Sequence, residues 1–149
     1  MKHFGYGSNL NQDFLSKYCP STEFIIKAYL PNYQVQFRYW SKKRRGGISS
    51  IVEKPGELVH GVIYEISERD LRDLDILESV HQGLYSRDKY LVLGEDSEWH
   101  QADLYRVVNP QGPFTPSKSY VELMLEGAKQ HAIDPGYIQK IQEIYQRSE

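Results

Sequence analysis

At 149 residues, with 18 basic against 20 acidic side chains and a formal net charge of -2, the chain is sized for one domain, 1–149, with a sizeable core. That balance gives no general pull toward nucleic acid or an anionic membrane, and the short apolar runs fall far below the roughly 20 residues that span a bilayer. A lone Cys19 excludes an internal disulfide, and with no apolar leader in MKHFGYGS the expected setting is reducing and cytoplasmic.

The first zone, up to about Ile66, reads as short strands. Lys2–Gly5 runs into Gly-Ser-Asn, and Lys27–Leu30 precedes Pro31. Tyr33 to Trp40 then alternates with Tyr33, Val35, Phe37 and Tyr39 facing inward. After the basic turn Lys42–Gly47 come Ile48–Val52, a Pro55-Gly56 turn, and Leu58–Ile66. Ser67, followed three residues later by Asp70, is a helix N-cap with a capping-box partner, and the helix is expected to run to about Val80. Tyr85–Leu93 and Trp99–Val108 alternate on either side of Gly94-Glu95-Asp96-Ser97, the pattern of a hairpin. From Ser117, Tyr120, Val121, Met124, Leu125 and Ala128 recur at helical spacing. Asp134-Pro135 then opens a last helix with Ile138, Ile141 and Tyr145 on one face. The class is α+β.

The helix after Ser67 carries an anomaly. Leu71, Leu74 and Leu77 form an apolar stripe, and Glu78 falls about 40° from its centre at 100° per residue. A carboxylate facing apolar surroundings has its pKa raised, which suits a group that takes a proton and returns it. The competing reading is a helix-end glutamate that reaches water or pairs with Arg72 or Arg87.

The stretch HFGYGSNL is neither a dinucleotide fingerprint, since Gly5-Tyr6-Gly7 lacks the third glycine, nor a nucleophile elbow, since Leu10 stands two residues after Ser8. A turn and an anion cradle of backbone N–H groups both remain open. The five histidines show no metal-ligand spacing. Lys42-Lys43-Arg44-Arg45, beside Tyr39-Trp40, reads as a solvated hairpin tip rather than a nucleic-acid contact.

YGSNL near the start, GGI, PG and HGVIYEI, LDILESV followed by GLY, then PSKSY and EGAKQH together resemble the γ-glutamylcyclotransferases over nearly the whole chain. The resemblance implies a small mixed β-barrel with flanking helices, acting without metal or cofactor. It also implies a small γ-glutamyl substrate, a monomer or homodimer, and cyclisation of γ-glutamyl dipeptides to 5-oxoproline with release of the amino acid. It places the catalytic glutamate on Glu78, the substrate-binding loop on His3, Phe4, Gly5, Tyr6, Gly7 and Ser8, and a substrate-contacting tyrosine on Tyr120. Ser79 stands where glycine often follows the glutamate, Gly5 where alanine is common, and Arg45 where relatives can have histidine. The alternatives are a same-fold enzyme acting on γ-glutamyl amines, glutathione or a γ-glutamyl-capped biosynthetic intermediate, and a non-catalytic ligand-binding module. Burying an acid at Glu78 weighs against the last.

Overall fold

A computed structural model describes residues 1–148. Five strands, β1 (Lys2–Gly5), β2 (Glu23–Ser41), β3 (Gly46–Glu65), β4 (Tyr85–Gly94) and β5 (Trp99–Val107), close into a barrel in the order β1-β3-β2-β4-β5. Helices α1 (Gln12–Tyr18), α2 (Glu68–Leu77), α3 (Lys118–Gln130) and α4 (Pro135–Arg147) flank it. β1 pairs antiparallel with β3 and parallel with β5, at His3 opposite Asp103, which makes the barrel mixed, as the resemblance implied. No described helix is long and apolar enough to cross a membrane.

Side chains alternate between the two faces of each strand, so the barrel wall serves two cores. Phe4, Leu30, Ile51, Ile63 and Leu104 pack in one. Val62 and Tyr64, on the opposite face of β3 from Ile63, join Leu10, Leu71, Leu74, Val121, Met124 and Ile141 under the helices.

The separate strands expected before Ile66 are two long ones. β2 continues through Pro31 and β3 through Pro55-Gly56, because turn residues there extrude a bulge instead of reversing the chain. Tyr33 pairs with Glu53 and Pro31 with Leu58, so Asn32 alone opposes Lys54–Glu57. Asn32 Oδ1 accepts from Gly56 N at 3.0 Å, with Asn32 and Gly56 both at positive φ. A second register shift between Phe37 and Tyr39 explains why Phe37 is buried as expected while Tyr39 is exposed, since a one-residue slip exchanges the faces. The β4–β5 hairpin pairs Leu93 with Trp99 across the expected turn.

The caps set the helix starts. Ser67 Oγ accepts from Asp70 N, Ser117 Oγ from Tyr120 N, and Asp134 Oδ2 from Tyr137 N, each satisfying an otherwise orphaned N–H. The capping box at Ser67 is only half made: Asp70 Oδ2 accepts from Ser21 N, and Ser67 N donates to Ser21 Oγ, tying α2 to the segment after α1. α1 was not expected from the sequence; Asn11 Oδ1 caps it by accepting from Phe14 N.

Candidate active site

α2 ends three residues earlier than expected. Its final N–H contact runs from Glu78 to the Leu74 carbonyl at 2.9 Å, and Ser79 then turns into the left-handed region at φ 54°. Leu71 and Leu74 are buried, but Leu77 is 43% exposed, so the apolar stripe leaves the core in its last turn. That departure puts Leu77 and the half-buried Glu78 on the wall of a cavity of about 180 Å³.

The loop after β1 also lines the cavity. Phe4, Tyr6, Gly7, Ser8 and Asn9 line it, together with Ser49 from β3 and Tyr120 from α3. Ser8–Leu10 form one 3-10 turn, in which Leu10 N and Asn11 N donate back to Gly7 and Ser8. The N–H groups of Gly7, Ser8 and Asn9 have no acceptor among the described residues. Three successive free N–H groups beside a cavity can hold an anion.

Close approaches fix this loop. A side chain at Gly7 would run into Ser49 Oγ, and one at Gly127 into the Leu10–Asn11 backbone, so glycine at both positions lets β3 and α3 press against the loop. Gly5, expected in the binding loop, is not on the cavity wall. It packs against the Asn9 carbonyl and the Tyr64 ring, where a Cβ would stand 2.6 and 3.0 Å away. His3 lines the cavity but is 1% exposed, and both ring nitrogens are engaged: Nδ1 lies 2.7 Å from Asp103 Oδ1 and Nε2 lies 3.2 Å from Asn9 Nδ2. Its position fits a support for Asn9 more than a hand extended to a ligand.

The tyrosine hydroxyls are mostly committed to the protein. Tyr6 donates to the Tyr105 carbonyl and Tyr85 to the Ser49 carbonyl at 2.6 Å. Tyr120 Oη lies 2.8 Å from Ser49 Oγ and accepts from Ser49 N at 3.2 Å. Burial pushes all three up from the ordinary phenol range, Tyr6 and Tyr85 well above it, so they form neutral walls.

Glu78 differs from Glu68, Asp75 and Asp103, which all have arginine partners. Arg72 pairs with Glu68, and Arg87 takes Asp75 through two bonds of 2.7 and 3.0 Å and Asp103 through one of 3.1 Å. Neither arginine considered as its partner reaches Glu78, which has no ion pair or side-chain hydrogen bond among the described residues. Burial drives its carboxyl up to about 7. The Arg44 charge opposes that rise and the Asp75 charge adds to it. The C-terminal end of α2, where carbonyls point outward, also disfavours a negative charge. Asp75 behaves oppositely: burial would raise it, but Arg87 and the Tyr105 hydroxyl at 2.7 Å hold it below the ordinary range. Two carboxyls three residues apart are thereby separated, one held ionised and one poised near neutrality.

The sequence reading missed the chain Asn9, His3, Asp103, Arg87, Asp75, Tyr105, which links the N–H loop to the end of α2. One signal was present: Asp103 interrupts the apolar run around Ala102, Leu104 and Tyr105, and a buried acid needs a partner. The basic tip is solvated as expected at Lys42, Lys43 and Arg45, but the sequence did not show that it brings Lys43 and the half-buried Arg44 to the cavity wall.

A closed mixed barrel with flanking helices, whose first strand leads into a loop that shares a cavity with Glu78, defines the class of fold. The model of the AIG2-like family matches residues 58–141, more than half of the chain, and the chain belongs to that family. The γ-glutamylcyclotransferase of Bos taurus is 29% identical over 146 residues, covering 95% of this chain and 77% of its own length. That of Homo sapiens is 28% identical with the same coverage. A solved γ-glutamyl cyclotransferase structure superposes with a TM-score of 0.91 at 27% identity, covering 95% of this chain and 86% of its own. The resemblance drawn from YGSNL, LDILESV and PSKSY is thus borne out for family and fold.

Proposed function

We propose that the protein is an enzyme that cyclises the γ-glutamyl group of γ-glutamyl amino acids to 5-oxoproline and releases the free amino acid. The observation that carries this reading is Glu78: a carboxyl without a protein partner, pushed up to about 7 by burial, lining the same cavity as three residues with free N–H groups.

Glu78 takes a proton from the substrate's α-ammonium, and the freed amine attacks the γ-carbonyl carbon of the same molecule. The carbonyl oxygen becomes an oxyanion as the ring closes, and the free N–H groups of Gly7, Ser8 and Asn9 receive it in this scheme. Glu78 returns its proton to the departing nitrogen and the amide C–N bond breaks. The attacking nitrogen sheds a second proton on becoming a lactam, and the leaving amine takes that up as ammonium, so the protons balance. Because the attack is intramolecular, the walls of Tyr6, Tyr85, Tyr105 and Tyr120 serve mainly to hold the substrate folded. Ser8 is a binding residue in this scheme and no serine ester forms.

The test is 5-oxoproline release from a panel of γ-glutamyl dipeptides, γ-glutamyl-ε-lysine and glutathione, with the parent and Glu78→Gln. The dipeptides should yield product, and the Gln variant should lose at least about 100-fold in kcat/KM with its far-UV dichroism unchanged. Parental turnover by the variant would remove Glu78 as the base. A panel without product from any member would point to a binding module instead.

A further inference from the structure

Resting on that reading, we propose that Arg44 is a specificity-determining residue: its guanidinium receives a carboxylate on the leaving half of the substrate, selecting γ-glutamyl amides of α-amino acids over those of uncharged amines.

Arg44 lies in the tip joining β2 to β3, where its backbone N donates to Ser41 Oγ at 3.1 Å. Its guanidinium carbon stands 5.3 Å from the Phe14 ring centroid and 5.8 Å from that of Tyr120. Contact with two aromatic rings holds the planar group in place and leaves N–H edges for an in-plane acceptor, the arrangement that suits a bidentate carboxylate. Arg87 and Arg106 meet carboxylates within the protein, whereas Arg44 makes no ion pair or side-chain hydrogen bond among the described residues, although it is half-buried on the cavity wall. A half-buried cation that feels the Glu78 charge without bonding to it keeps its N–H groups free for a carboxylate of the substrate.

The position selects which carboxylate it meets. In the glutamyl half, amine and carboxylate share one carbon, so the carboxylate stays beside Glu78 when the amine does. The cavity's floor is closed by the buried Phe4, Tyr6, Tyr85 and Tyr105. Tyr18, Lys43 and Leu77, all exposed, mark the rim, and Arg44 belongs to the same tip as Lys43. A group departing from the γ-carbonyl has only the rim to leave by, and there it passes Arg44. Docking an anion there also neutralises the charge that opposes protonation of Glu78, so the right leaving group strengthens the base.

The experiment compares γ-glutamyl-alanine with γ-glutamyl-ethylamide, which lacks the leaving-side carboxylate, in the parent, Arg44→Met and Arg44→Lys. The parent should favour the alanine amide, and the ratio of the two kcat/KM values should fall about 10- to 100-fold in Arg44→Met, with Arg44→Lys between them. An unchanged ratio overturns the assignment. So does an equal loss on both substrates, which would place Arg44 on the glutamyl half. Calorimetric binding of both amides to Glu78→Gln and to Glu78→Gln with Arg44→Met separates this inference from the catalytic reading. Preference for the alanine amide that Arg44→Met abolishes upholds Arg44 even if no 5-oxoproline is ever released, and equal binding of the two amides to Glu78→Gln refutes it.

Discussion

Replacing Glu78 by glutamine removes a carboxyl that the fold holds at about 7 against 4.5 for an unperturbed glutamate. A raised folded-state value means that the native protein binds the proton more tightly than the unfolded chain does. The parent therefore loses stability as pH climbs from about 4.5 to about 7 and carries a constant penalty above that. At about 1.36 kcal/mol per pH unit, the gap corresponds to a penalty of about 3 kcal/mol at pH 8, an upper bound for a half-buried group. Only about 1 kcal/mol of it is present at pH 5. Glutamine is neutral throughout and escapes it. Urea unfolding of parent and Glu78→Gln at pH 5 and pH 8 should show the variant gaining about 2 kcal/mol on the parent between the two conditions. All other titrating groups cancel in that difference. An equal stability difference at both pH values would show that Glu78 is an ordinary surface acid, and the chemical argument built on its elevation would fall with it.

Two further outcomes concern the surroundings of that carboxyl. Arg87→Met leaves Asp75 and the 3% exposed Asp103 without their cation and should cost about 3–5 kcal/mol in urea unfolding at pH 7.5, and a loss under about 1 kcal/mol would mean that solvent already screens both acids. Ser79→Gly relieves a left-handed residue at the end of α2 and should raise the melting temperature by a few degrees, a net gain of about 0.5–1 kcal/mol after glycine's own entropy cost; a lower melting temperature would show that the Ser79 side chain contributes more than its backbone strain costs.

What could be read from the sequence was local and periodic. Leu71 and Leu74 pointed α2 inward and carried Glu78 with them, and the alternation of β4 and β5 located the hairpin. The end of α2 was not legible, because nothing in Leu-Glu-Ser announces a left-handed Ser79. The joining of strands into β2 and β3 was hidden for a related reason. Pro31-Asn32 and Pro55-Gly56 have the same chemistry whether they reverse the chain or bulge out of it, and only the partner strand decides. α1, at seven residues, is too short to show a period. The site was half legible. Glu78 and the Gly7–Asn9 turn follow from their neighbours in the chain. The His3–Asp103 contact joins residues 100 positions apart, and Arg44 reaches the cavity only because β2 and β3 carry their connecting tip over Phe14 and Tyr120.

β1, the strand that delivers the N–H loop, precedes both of its partners in the chain and lies between Val62–Glu65 of β3 and Asp103 of β5. Its loop lines the same cavity as Glu78 and Tyr120. The strand partners of β1 lie about 60 and 100 positions further along the chain, and loop closure over such separations is slow. Tyr120, which completes the cavity wall, follows the last barrel strand in the chain, so the ability to bind ligand comes after barrel closure, as a late event.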